Sequence, residues 1–134
     1  MRVLLADDQH DVRRALRLLL EQEPDLTVAG EVADAVGLFD QVEAIQLDLV
    51  LLDWELPGFG MIDSLTNPAS DAIALLRSLR PNLVVVALSG RPEAHQIAMA
   101  AGADAFVSKG DPPERLLKTL RRFSGNAQSR SNEE

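Results

Sequence analysis

The chain has 134 residues, enough for one domain with a buried core that needs no covalent staples. It has no cysteine, which excludes a disulfide framework and a thiolate metal site and fits a reducing, cytoplasmic setting. The net charge of −8 argues against direct nucleic-acid binding by this domain, and the apolar run near Met1 ends at Asp7, too soon for a signal peptide or a membrane span.

In chain order, Val3–Ala6 is a short apolar run that predicts a first strand. Val12, Ala15, Leu16 and Leu19 follow helical spacing. Leu26–Ala29 predicts a second strand, and Ala35, Leu38, Phe39 and Val42 a second helix. Leu47–Leu52 is apolar on both faces over its last four residues, as a central strand covered from both sides must be. Gly58–Ser70 reads as a loop, long beside the ~2–6 residues usual for such a connection. Ile73, Leu76 and Leu79 mark a third helix, Leu83–Leu88 a fourth strand, and Ala94, Ile97, Ala98 and Ala101 a fourth helix with Gly102 as its C-cap. Ala105–Val107 predicts the fifth strand. Asp111, Pro112, Pro113 and Glu114 read as a cap, a proline in the first turn and a capping-box acid, opening a last helix marked by Leu116, Leu117 and Leu120. Ser124–Glu134 holds one alanine and no larger apolar residue, so a disordered polar tail or linker is expected after a domain spanning 1–123.

Strand–helix alternation of this kind predicts an α/β fold, a doubly wound parallel sheet with helices on both faces. In such sheets function gathers at the carboxyl ends of the strands. Those ends carry Asp7 and Asp8 after the first strand, Asp53 and then Glu55 after the third, Ser89 after the fourth, and Lys109 after the fifth. Three carboxylates ~5 Å apart repel by several kcal/mol per pair at an intermediate dielectric. They must take up protons or a cation. With oxygen ligands alone, the ion is hard, Mg2+ before Mn2+ or Ca2+. Lys109 adds a second positive charge and Ser89 a hydroxyl. Together these groups suit phosphoryl transfer to a nucleophilic aspartate. Each residue alone has a plainer reading. Asp7 or Asp8 could be a helix cap, Asp53 could open a turn before Pro57, Ser89 could sit in a turn before Pro92, and Lys109 could be a solvated charge. Their coincidence at four strand ends is what points to a site.

The order Asp7–Asp8, then the third strand ending at Asp53, then Ser89–Gly90 and Ser108–Lys109, resembles the receiver domains of two-component response regulators, over residues 1 to about 123. Lys109 to Glu114 followed by Leu116 and Leu117 is similar to the NarL/FixJ subfamily, which often carries a C-terminal DNA-binding domain. The resemblance implies a (βα)5 flavodoxin-like sheet of strand order 2-1-3-4-5 and a protein that promotes its own phosphorylation and dephosphorylation without being an enzyme in the usual sense. It implies Asp53 as phosphoryl acceptor. Mg2+ is implied on Asp8, Asp53 and the carbonyl of Glu55, with Asp7 acting through water. Ser89 is implied as the switching hydroxyl, Lys109 as the phosphoryl's partner, and Phe106 as the switch aromatic. Implied partners are a histidine kinase or phosphotransfer protein, a second copy through the fourth helix, fifth strand and fifth helix, and a DNA-binding effector outside this chain.

Departures from the family pattern are Gly110, where many receivers have a cis proline, and the long 58–70 segment. Glu55, a fourth acid, and Arg91, its expected neighbour, stand where the family tunes the lifetime of the phosphoryl group. His10 and His95 come with no nucleophile, and Trp54 reads as packing. Two rivals remain. One is a degenerate receiver that only docks to other proteins. The other is a haloacid dehalogenase-like phosphohydrolase, from the loose Asp53-x-Glu55 likeness.

Overall fold

The structure, a computed structural model, describes the backbone of residues 1–59 and 68–132 and the side chains of residues 1–59 and 71–124. Strands β1 (Arg2–Ala6), β2 (Thr27–Val32), β3 (Leu49–Asp53), β4 (Val84–Ser89) and β5 (Ala105–Ser108) alternate with helices α1 (His10–Leu20), α2 (Ala35–Ala44), α3 (Pro68–Leu79), α4 (Ala94–Ala100) and α5 (Pro113–Asn132). All strands are parallel, in the order β2-β1-β3-β4-β5. This is the expected flavodoxin-like (βα)5 fold.

Alternation along the strands divides the core in two. Leu4, Ala6, Val50, Leu52, Val85 and Ala87 pack on one face with Leu38 and Val42 of α2, Ile73 and Leu76 of α3, and Ala98 of α4. Val3, Leu5, Leu49, Leu51, Val86 and Leu88 pack on the other with Leu20 of α1 and Leu116 and Leu120 of α5. Burying each leucine contributes about 1.5–3 kcal/mol. All five residues of β3 are buried, because it is central and covered on both sides.

Several boundaries differ from the sequence reading. β2 runs on to Val32 through Gly30 and Glu31, which broke the apolar run. As an edge strand it is only partly covered, and a register shift against β1 leaves Ala29 as an extra residue. Leu47 and Asp48 precede β3, since the Asp48 carboxylate accepts the Arg2 N–H at 2.7 Å. Phe59, expected in a loop, is buried and packs on Trp54 with ring centroids 5.6 Å apart. Pro68–Ser70 open α3, and residues 60–67 lie outside the described residues. The backbone of α5 continues as helix to Asn132, where composition predicted disorder. Helix propagation from turns already nucleated by packing needs only one hydrogen bond per added residue, so a polar segment without proline can follow. Neither Asp7 nor Asp8 caps α1; the N-cap is Gln9, without a side-chain cap bond. Gly102 closes α4 as expected, with φ +111° and its N–H on the Met99 carbonyl.

The chain leaves β1 for the edge strand β2 and then returns to β3 on the other side of β1. The carboxyl ends of β1 and β3 therefore border a crevice at the point where the winding reverses.

Candidate functional site

The crevice is built from the residues that follow the strands. The Asp7 N–H donates to the Val32 carbonyl at 3.1 Å, which extends β1 by one residue. The Arg13 guanidinium, on α1, donates to the Asp7 carbonyl. With its backbone held at both ends, Asp7 is 1% exposed. Its Oδ1 accepts the Gln9 N–H and its Oδ2 the Lys109 ammonium, each at 2.8 Å. Asp53, 2% exposed, ends β3, and its Oδ1 accepts the Glu55 N–H at 3.0 Å. Asp8 is exposed at the mouth. Carboxylate oxygens of Asp7, Asp8 and Asp53 lie within 4.8 Å of one another.

Lys109 reaches this cluster from β5. Its N–H donates to the Ser89 carbonyl at 2.8 Å, which fixes its backbone beside β4, and its Nζ stands 2.8 Å from Asp7 and 3.4 Å from Asp53. No proline fixes the turn after Lys109. Instead the Asp111 carboxylate accepts the Ser108 N–H at 3.1 Å, and the Ser108 hydroxyl accepts the Gly110 N–H at 3.3 Å. Asp111 was expected to cap α5 and serves this turn instead. A serine and an aspartate three apart were the available signal, overshadowed by the two prolines.

One lysine faces three acids, so charge is not balanced. Burial pushes the Asp53 carboxyl above its usual range, and the Asp7 charge adds to this, against the Glu55 N–H and Lys109. Burial disfavours the Lys109 charge, but the hydrogen bond to Asp7 and the charges of Asp53 and Asp7 outweigh it and hold the ammonium above its ordinary pKa. Buried carboxylates in excess of cations, with oxygen as the only donor, fit a small hard divalent ion.

The remaining expected residues stand around this cluster. Ser89 is fully buried at the end of β4, and its hydroxyl donates to Glu55 Oε1 at 2.8 Å. Arg91 pairs with the same carboxylate at 3.7 Å, so the expected neighbour is present. Phe106 is partly buried against the α2–α3 side of the core and stacks on His95, centroids 5.0 Å apart and planes 7° from parallel. His10 is exposed and 3.9 Å from Asp11. The Glu55–Ser89 bond and the His95–Phe106 stack were invisible in the sequence, since partners so far apart along the chain meet only through the sheet.

A family model described as the response regulator receiver domain matches residues 3–121. The chain belongs to the response regulator receiver family. The receiver is 32% identical over 118 residues to the nitrate/nitrite response regulator protein NarL of Escherichia coli strain K12, covering 88% of this chain and 52% of the relative. It spans about half the length of the curated relatives it matches. Its fold superposes on a LuxR-family two-component response regulator from Aurantimonas with TM-score 0.77 and 25% identity, covering 93% of this chain and 85% of that one. RcsB from Salmonella enterica serovar Typhimurium, bound to promoter rprA in the presence of phosphomimetic BeF3−, gives TM-score 0.77 at 24% identity, covering 92% and 98%. Receivers of NarL and LuxR-family regulators are thus among the proteins it is similar to, in line with the resemblance read around Lys109. Among the described residues, no helix is long and apolar enough to cross a membrane.

Proposed function

We propose that this receiver takes a phosphoryl group onto Asp53 from a phosphohistidine of a partner kinase or phosphotransfer protein, and that the modification switches a protein-binding surface in the cytoplasm. The observation that carries the reading is the cluster of Asp7, Asp8 and Asp53 within 4.8 Å, whose carboxylates pair with Lys109 alone among the described cations. Asp8, Asp53 and the carbonyl of Glu55 would hold Mg2+, with Asp7 acting through water. When bound, the ion neutralises charge shared by the acids and the incoming phosphoryl oxygens.

The chain's own residues do the rest. An Asp53 carboxylate oxygen forms the new P–O bond as the P–N bond of the phosphohistidine breaks and the imidazole leaves. Lys109, already between Asp7 and Asp53, pairs with phosphoryl oxygens. Ser89 turns its hydroxyl toward them, and Phe106 moves into the space vacated. The added charge of about −1.5 to −2 shifts a two-state equilibrium rather than pushing a lever. The face formed by α4, β5 and α5 changes, and with it contacts to a second copy or to a C-terminal DNA-binding effector.

The test is intact mass after incubation with Mg2+ and a small phosphoryl donor. One added phosphoryl group is expected, absent with Asp53→Asn and absent with a chelator. No adduct from any donor or partner kinase would favour the docking module. Sustained turnover of a phosphate ester would favour the phosphohydrolase.

A further inference from the structure

A serine hydroxyl has one proton to donate. In this receiver that proton is committed to Glu55 Oε1 at 2.8 Å, while the Ser89 oxygen accepts the Arg91 N–H at 3.0 Å. Both functions of the hydroxyl are therefore satisfied outside the acid cluster. Glu55 touches the two groups that matter through different parts of itself. Its N–H holds Asp53 Oδ1 at 3.0 Å and its carboxylate holds Ser89. The Arg91 guanidinium, 3.7 Å from the same Oε1, restrains the carboxylate, weakly because both side chains are largely solvated.

We propose that Glu55 is a positioning residue which retains the Ser89 hydroxyl in the resting state, so that the receiver reaches its phosphorylated form only by giving up the Ser89–Glu55 hydrogen bond. This rests on the phosphoryl-accepting reading of Asp53 and supplies the sign of the effect. The phosphoryl oxygens and Glu55 compete for one proton. A ligand that needs the minor state binds with an affinity reduced by that state's fraction. Removing Glu55's acceptor raises that fraction and tightens binding of a phosphoryl analogue. Removing the charge without the acceptor changes less. The acid thus biases the switch through Ser89 rather than by repelling the anion.

Trp54, the only tryptophan, adjoins Asp53 and reports on the site by fluorescence. Beryllofluoride is titrated at saturating Mg2+ into the unaltered receiver and into Glu55→Ala, Glu55→Gln, Ser89→Ala and the Glu55→Ala/Ser89→Ala pair, with thermal melts to check folding. Glu55→Ala is expected to tighten the apparent Kd by about threefold to tenfold, the size of a released resting-state fraction. Glu55→Gln, which keeps a carbonyl acceptor, stays within about twofold of the unaltered receiver, and in the Ser89→Ala background Glu55→Ala loses its effect, as coupled residues require. Equal tightening with and without the Ser89 hydroxyl, or by Gln as much as by Ala, would overturn the proposal and leave simple charge repulsion. Unchanged or weaker binding in Glu55→Ala would overturn it also. If the unaltered receiver responds to neither Mg2+ nor beryllofluoride, the phosphoryl-accepting reading falls first and this inference with it.

Discussion

The two ends of the sheet use the same residue types to opposite effect. At the amino-terminal end, Asp48 lies just before β3 and accepts the Arg2 N–H at 2.7 Å, while Asp104 lies just before β5 and accepts the Val85 N–H and the Arg77 guanidinium at 2.8 Å each. Each acid there satisfies donors that a strand start leaves open. At the carboxyl-terminal end, carboxylate oxygens of Asp7, Asp8 and Asp53 stand within 4.8 Å, and Asp7 and Asp53 share Lys109. At one end the acids are spread singly among backbone and guanidinium donors, and at the other they are gathered in excess of the cations that face them. Asp48 stands just before β3 and Asp53 ends it, so four residues of one strand separate a structural acid from the proposed acceptor.

That contrast is most sharply broken by exchanging the fates of those two acids. Asp53→Asn abolishes the phosphoryl adduct, whereas Asp48→Ala keeps the adduct and the Mg2+ response and lowers unfolding stability by about 1 kcal/mol, the worth of one hydrogen bond to a charged group near the surface. Intact mass and urea unfolding check the pair. Next in size is Lys109→Ala. It leaves Asp7 and Asp53 buried and uncompensated, and the partly open site limits the loss to about 2 kcal/mol at pH 7, less than for a fully buried ion pair. Saturating Mg2+ restores most of it in thermal melts.

Acidity sharpens the comparison further. The folded-state pKa of Asp53 is raised, mainly by burial, so its ionised form opposes folding above that pKa and its neutral form does not below the ordinary aspartate value. Asp53→Asn therefore raises the thermal midpoint at pH 7 in the absence of metal, and its advantage shrinks as pH falls through the raised pKa. The same proton competes with Mg2+, so the fluorescence titration weakens on acidification at a higher pH than an ordinary aspartate would give. A midpoint that Asp53→Asn lowers at pH 7 would contradict this. The smallest effect belongs to Arg91→Ala. It frees the Glu55 carboxylate from its one weak restraint and tightens beryllofluoride binding by about twofold, as an exposed ion pair worth a few tenths of a kcal/mol allows.

The sequence carried the fold because the fold is written in short-range pattern. Val3–Ala6, Leu47–Leu52 and Leu83–Leu88 read as covered strands, and the polar residues that follow them had to share an edge once the sheet was parallel. What it could not carry was local competition among polar groups. Asp111 had two eligible duties and took the Ser108 turn rather than the helix, and Asp8 and Asp7 left the cap of α1 to Gln9. Nor could periodicity reveal which partner Ser89 keeps at rest, because Glu55 lies 34 residues away and its carboxylate had several donors within reach. Phe59 was lost to the loop by its flanking glycines, although its ring belongs to the core beside Trp54.

A phosphoryl donor free in solution meets 21 aspartates and glutamates on this chain. Asp7 and Asp53 are the acids counted as buried among the described residues, and both oxygens of Asp7 are already taken, by the Gln9 N–H and by Lys109. Among the described residues no hydrogen bond reaches Oδ2 of Asp53. On the reading we propose, selectivity for Asp53 starts in the fold: its Oδ2 is the oxygen of the two buried acids that the described residues leave unbonded without sealing it from solvent, where a phosphoryl donor can reach it.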